Sequence, residues 1–212
     1  CDRRQRQMCI RDRTEVLHLA DKKIIGQYKN YLKENLSKKR YNHSVNVANA
    51  AAELADRYGC DREKAYIAGL LHDVCKEMPE EKQLELVKQS ELDVCAIETK
   101  TPALYHAIAG AEFIQSEFQI KDTEIINAVR YHTVACADMP LLSQIIYLAD
   151  LISADRDYKD VKKMRRYSAQ SLEKAMLEAL RFSVKDSAEK GNTIPVSTLE
   201  CYNYFAGLRS GK

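Results

Sequence analysis

The chain reads as an all-α bundle of roughly nine helices, on three observations. Glycine (7) and proline (4) are scarce in 212 residues. Alternation of β-branched residues at period two is almost absent. Apolar residues recur instead at intervals of three and four, the spacing that lines them along one side of a helix. With 45% hydrophobic and 30% charged residues, the composition is that of a globular chain long enough to bury one proper core.

The elements follow in order. A first helix is predicted over Thr14–Leu36, with Leu17, Ile24, Ile25, Tyr28 and Leu32 as its apolar side. A second covers Lys38–Tyr58, with Val45, Val47, Ala48, Ala51, Ala52, Leu54 and Ala55 inward and Gly59 as its C′ stop. Asp61 caps a helix over Arg62–Lys76. Pro79 takes the N1 position of Glu80–Gln89. Pro102 opens a helix to about Phe118, Asp122 caps one reaching His132, and Pro140 opens Leu141–Ser153. A long helix begins at Ser168 or Ser171 and ends at Gly191, and Ser197–Leu208 is the last. The loops between them are short. With no repeat or linker, residues 14–212 read as one domain that includes the helices after about residue 158.

Cys1–Arg13 stands apart. It resembles the translation of a sequencing-library adapter and is read as a non-native segment outside the fold. Its five Arg and two Asp contribute +3 to a formal charge of +2, so the rest of the chain carries −1. A near-neutral domain gives no reason to expect a nucleic-acid partner. No apolar run approaches the ~20 residues of a membrane span, and no secretory h-region is visible. The seven cysteines form no C-x-x-C pair. Unpaired thiols such as Cys75 and Cys136 suggest a reducing cytoplasm.

The chemistry lies in the histidines. His18 sits among charged residues and reads as ordinary. The other four lie in apolar surroundings. His43 shares a helix side with Val47, Ala50 and Leu54; His72 follows Ala68-Gly69-Leu70-Leu71; His106 precedes Ala107-Ile108-Ala109-Gly110-Ala111; His132 follows Ala128-Val129 by one turn. Four buried imidazoles without partners are costly. A shared metal ion uses their ring nitrogens. Asp73, beside His72, and Asp150, ending Ile145-Ile146-Tyr147-Leu148-Ala149, supply carboxylates in equally apolar settings. Imidazole with carboxylate and no thiolate suits Fe, Mn, Zn or Co.

His43, the His72–Asp73 dyad and Asp150 resemble the H…HD…D pattern of the HD-domain phosphohydrolase superfamily, and His106 and His132 resemble its bimetallic subset. The likeness extends to the YqeK-like symmetrical bis(5′-nucleosyl)-tetraphosphatases. It is carried by Arg40-Tyr41-Asn42-His43, Ala68-Gly69-Leu70-Leu71-His72-Asp73-Val74-Cys75-Lys76, His106-Ala107-Ile108-Ala109-Gly110-Ala111, Ala128-Val129-Arg130-Tyr131-His132-Thr133 and Ile145-Ile146-Tyr147-Leu148-Ala149-Asp150. The resemblance implies two divalent ions, usually iron in the family, with Mn or Zn also compatible. His43, His72, Asp73 and Asp150 would hold one, and His106 and His132 the other, with Asp73 bridging. It implies a dinucleoside polyphosphate as small-molecule partner, neither nucleic acid nor membrane, and it leaves a homodimer open.

Lys76, three residues after Asp73, is then expected on the same helix side, binding a phosphate oxygen or helping the leaving group depart. Arg156 is expected to clamp a distal phosphate, with Thr133 and Arg40 in lesser phosphate-binding or supporting roles. The run Lys162-Lys163-Met164-Arg165-Arg166 reads as a solvated helix face. Tyr202-Asn203-Tyr204 fits base stacking or core packing equally well. Two other functions share these residues: another HD-type nucleotidase or phosphodiesterase acting on a cyclic or alarmone nucleotide, and a non-catalytic nucleotide-binding regulator.

Overall fold

Four side chains set where helices begin. Ser37 accepts a hydrogen bond from the Arg40 amide and opens α2 (Lys38–Tyr58); Asp61 accepts from Glu63 and Lys64 and opens α3 (Arg62–Leu71). Asp122 accepts from Glu124 and opens α6 (Thr123–Arg130); Ser171 accepts from Lys174 and opens α9 (Leu172–Glu189). Each cap satisfies first-turn N–H groups that have no partner within the helix. The computed structural model describes residues 22–210, with side chains through residue 208. The expectations for residues 1–13, for the start of the first helix with Leu17, and for His18 lie outside the described residues.

Among these the protein is all helical. The remaining elements are α1 (residues 22–35), α4 (Glu80–Gln89), a 3-10 turn (Glu98–Lys100), α5 (Pro102–Ser116), α7 (Leu141–Ile152), α8 (Val161–Gln170) and α10 (Val196–Ser210). The tenth helix is α8, absent from the nine expected; it ends at Ser171, whose extended backbone also caps α9, the expected long helix.

The core is built around α7. Leu142, Ile145, Ile146, Tyr147, Leu148 and Ala149 are buried, and α2, α3, α6, α8 and α9 all pack on this helix. An almost wholly apolar helix is stable only when surrounded in this way. Helices α2 and α3 come unusually close. A Cβ on Gly69 would stand 2.9 Å from Ala48 Cα, so the hydrogen side chain of glycine is what permits the approach. On α1, Tyr28 and Tyr31 pack on Phe113 and Phe118. Ile24, expected inward, is 40% exposed. No helix of the described residues is long and apolar enough to cross a membrane.

Several helix ends differ from the sequence expectation. α3 stops at Leu71 rather than Lys76. Residues 72–77 form tight turns closed by Val74 N–Leu71 O, Lys76 N–Asp73 O and Met78 N–Cys75 O bonds of 2.9–3.1 Å. α5 ends at Ser116 and α6 at Arg130, ahead of Phe118 and His132. Pro79 is the N-cap of α4 rather than its first helical residue. The basic run lies on α8 with Lys162, Lys163 and Arg166 exposed, but Met164 is buried and Arg165 turns inward.

Candidate metal centre

His43 comes from the second turn of α2, His72 and Asp73 from the turn after α3, His106 from α5, His132 from the turn after α6, and Asp150 from the last turn of α7. Six residues predicted from sequence thus converge from five places. His43, His72, Asp73, His106 and His132 are all buried, and the Asp150 side chain is 19% exposed. Adjacent rings contact edge to face in a chain His43–His72–His132–His106, with centroids 5.0–5.3 Å apart.

Asp73 stands at the middle of this chain. Its Oδ2 lies 3.3 Å from His72 Nε2 and 3.9 Å from His43 Nε2; its Oδ1 lies 3.5 Å from His106 Nε2 and 3.6 Å from His132 Nε2. The two carboxylate oxygens therefore face two different pairs of histidines. Asp150 Oδ1 closes one side, 3.0 Å from His43 Nε2 and 4.0 Å from His72 Nε2.

The imidazoles are prepared for ligation. Nδ1 of His72, His106 and His132 faces the carbonyl three residues earlier, of Gly69, Ala103 and Val129, at 2.7, 3.0 and 2.7 Å. A proton held at Nδ1 leaves the Nε2 lone pair toward the centre. His43 Nε2 and His72 Nε2 are buried with no hydrogen-bond partner. Orphaned nitrogens beside two carboxylates fit a cation, and the donor set is one that borderline metals accept. Two compact donor groups meet this requirement, His43–His72–Asp150 and His72–Asp73–His132. His106 falls outside both, and Lys76 Nζ lies 3.1 Å from its Nε2.

The charges are tightly coupled. Burial alone would raise the Asp73 carboxyl, but the neighbouring imidazoles, His72 first and then His132 and His106, outweigh it and hold it well below the usual carboxylate range. Asp150 is likewise held low, with His43, His72 and Arg156 overcoming burial. Burial and the neighbouring His132 and Lys76 push His106 well below its ordinary value, toward the neutral imidazole that binds metals. Burial also lowers Lys76, despite Asp73.

The expected phosphate-binding residues sit at the rim, and the structure engages most of them. Arg40 Nη1 bonds Asp73 Oδ2 at 2.7 Å. Arg156 bonds Asp150 through Nη2, and its Nε reaches the Asp150 carbonyl at 2.8 Å. Both arginines thus neutralise the carboxylates beside the histidines as the site stands. Thr133 Oγ1 is buried without a partner. Lys76 is brought in by the turn that Lys76 N closes on Asp73 O, not by a continuing helix. One residue was missed: Asp155, whose Oδ2 lies 2.7 Å from His43 Nδ1. The only signal in the sequence was its place beside Arg156.

A model of the HD domain matches residues 40–155, the span from Arg40 to Asp155 that contains every residue of this centre. The chain belongs to the HD-domain family. Among HD-domain relatives it is similar to two curated proteins named symmetrical bis(5′-nucleosyl)-tetraphosphatase. That of Bacillus subtilis is 32% identical over 82% of this chain and 93% of the relative. That of Staphylococcus aureus is 33% identical over 85% and 94%. A solved structure described as a predicted HD superfamily hydrolase involved in NAD metabolism, from Clostridium acetobutylicum, superposes with a TM-score of 0.82 at 34% identity, covering 86% of this chain and 97% of that one.

Proposed function

We propose that this HD-domain protein is a metal-dependent hydrolase that cleaves bis(5′-nucleosyl) tetraphosphates symmetrically into two nucleoside diphosphates. The observation that carries the reaction class is Asp73, whose oxygens are divided between His43/His72 and His106/His132. The relatives' activity, over nearly their whole length, supports the substrate.

His43, His72, Asp73 and Asp150 are assigned to one divalent ion, and His106 and His132 to a second, with Asp73 shared. Iron is our first choice, with Mn or Zn compatible with the same ligands. When bound, such ions supply Lewis acidity, making water nucleophilic at neutral pH and offsetting charge on the attacked phosphate.

The protein's own residues do the rest. The turn 72–77 and the ends of α3 and α6 hold the imidazoles with Nε2 inward. Arg40, Lys76 and Arg156 ring the centre with three positive charges, set to bind a tetraphosphate that carries several negative ones. In hydrolysis, the oxygen of water bonds to one inner phosphorus and the bond from that phosphorus to the central bridging oxygen breaks. The departing nucleoside diphosphate leaves with the bridging oxygen. Lys76, the cation that reaches deepest, steadies the charge that builds there. Because the tetraphosphate is symmetric about its central oxygen, the two products are identical. The free Cys60, Cys75, Cys95, Cys136 and Cys201 support a reducing, cytoplasmic setting.

The test is product analysis with diadenosine tetraphosphate and Fe2+, Mn2+ or Zn2+. ADP as sole product is expected, and the double variant His72→Ala/Asp73→Ala should be inactive. AMP plus ATP, or an unaffected double variant, refutes the proposal.

A further inference from the structure

Three of the four histidines take their support locally, from a carbonyl three residues earlier. His43 does not. Its Nδ1 faces Asp155 Oδ2 at 2.7 Å, from a residue 112 positions away. Asn46, one turn along α2 from His43, donates to the other oxygen of Asp155 at 3.1 Å. Both oxygens of this carboxylate are thus committed to α2.

Asp155 stands on the turn that follows α7. The next residue, Arg156, bonds Asp150 on α7. Two consecutive residues therefore hold two metal-facing side chains, His43 and Asp150, that belong to different helices. That turn is itself clamped from α8. Arg165 donates from Nε to Ile152 O at 2.9 Å, and from Nη2 to Ser153 O at 2.6 Å and Arg156 O at 3.0 Å. One guanidinium fixes three carbonyls of a single turn, which a lysine ammonium at the same place has no geometry to do.

We infer that Asp155 is a positioning residue, holding His43 for the metal it shares with His72 and Asp150, and that Arg165 acts through it by fixing the turn. The inference rests on the assignment of these three side chains to one ion. A carboxylate on Nδ1 fixes the ring's tautomer and direction and makes Nε2 a stronger ligand than a carbonyl partner does. His43 Nε2, buried and without a hydrogen-bond partner, is the atom that benefits. Arg165 is then no part of a solvated basic face, although it lies in the middle of one in sequence.

The experiment follows metal retention. Protein loaded with Mn2+ is challenged with increasing EDTA, retained metal is measured by elemental analysis, and the chelated proteins are melted. Asp155→Ala and Arg165→Met should each release one equivalent at a chelator concentration about 10–100-fold below wild type, the usual cost of losing such a partner. The other equivalent should leave at the wild-type midpoint, and the chelated proteins should melt together. Asp155→Asn, which keeps an acceptor but not the charge, should fall between, and it decides the matter if Asp155→Ala does not fold. Wild-type midpoints for both equivalents in the Asp155 variants would overturn the inference. So would joint loss of both equivalents with a lowered melting temperature after chelation, the mark of an ordinary structural residue. Wild-type protein that retains no Mn2+ would locate the failure in the metal assignment itself, and this inference would fall with it.

Discussion

Two buried charge clusters lie within one turn of each other along the chain, and they are built in opposite ways. Glu98 and Arg130 are each 2% exposed. Arg130 meets both Glu98 oxygens at 2.8 Å through Nη1 and Nη2 and bonds Asp93 O at 2.7 Å, while Glu98 also accepts from Cys95 N at 3.0 Å. Its carboxyl is held low because these bonds outweigh burial. All but one donor, Arg130 Nε, find protein partners. Around Asp73 the reverse holds: His43 Nε2 and His72 Nε2 are buried and unpartnered beside two carboxylates. A closed network ties the 90–101 loop to α6. An open one leaves two ring nitrogens for a ligand. Burial of charge alone does not separate structure from function, but the satisfaction of each atom does.

The sharpest break in the comparison is Asp73→Ala. It removes the one carboxylate shared by both halves of the centre. Both metal equivalents should be lost, and hydrolysis should fall on the order of a thousandfold or more, beyond the ~10–100-fold for a supporting partner. Elemental analysis and initial rates check this; full retention of either equivalent removes Asp73 from its bridging place. Glu98→Ala should do the opposite. Leaving Arg130 buried and unpaired costs about 3–5 kcal/mol, a drop in melting temperature on the order of 10 °C for a chain of this size, while the folded protein keeps its metals. The sign of its pH dependence is fixed as well. Because the Glu98 pKa is depressed in the folded protein, its contribution is present above the ordinary glutamate pKa and is lost as pH falls through the folded one. Glu98→Ala should therefore flatten the acid limb of a stability–pH curve. An unchanged limb would mean that Glu98 is not what acid attacks.

Much of this was legible in the sequence, for a physical reason. Caps at Asp61, Asp122 and Ser171 act within their own first turn, so local sequence contains them. The four imidazoles stood out because neutral polar rings in apolar stretches need a partner. The places where α3 and α6 stop were not legible, since nothing local ends a helix at Leu71 or Arg130. There the chain tightens to turn His72, Asp73 and His132 toward a common point. Nor were Asp155, Arg165 and the Glu98–Arg130 pair. Their partners lie far off in sequence, and a charged residue read alone defaults to solvent. Lys76 tests the distinction directly, since the helix face expected to carry it is absent, yet the turn still brings its Nζ to 3.1 Å from His106 Nε2. Lys76→Met should lower kcat by about a hundredfold, the lower end of what one transition-state donor contributes, and leave metal content intact. A change confined to KM would make Lys76 a binding residue only.

The smallest effect concerns the scaffold that brings the halves together. Gly69 faces backbone: a Cβ there would meet Ala48 Cα at 2.9 Å, and Ala48 N and Val47 O at 3.1 Å. Backbone atoms inside a helix cannot swing aside, so Gly69→Ala must part α2 from α3. Overpacking of this kind costs about 1–3 kcal/mol, partly offset by the ~1 kcal/mol that alanine gains over glycine in a helix. A fall in melting temperature of a few degrees is expected. The consequence for the centre should be one-sided. His43 rides on α2 and His72 follows α3, so their shared ion loses affinity as the helices separate, while His106 and His132, on α5 and after α6, keep their places. Metal titration of Gly69→Ala should thus show one weakened equivalent and one unchanged. A variant that melts higher than wild type, as an exposed helical glycine replaced by alanine would, shows that the contact between α2 and α3 is not what sets the distance between the two ligands.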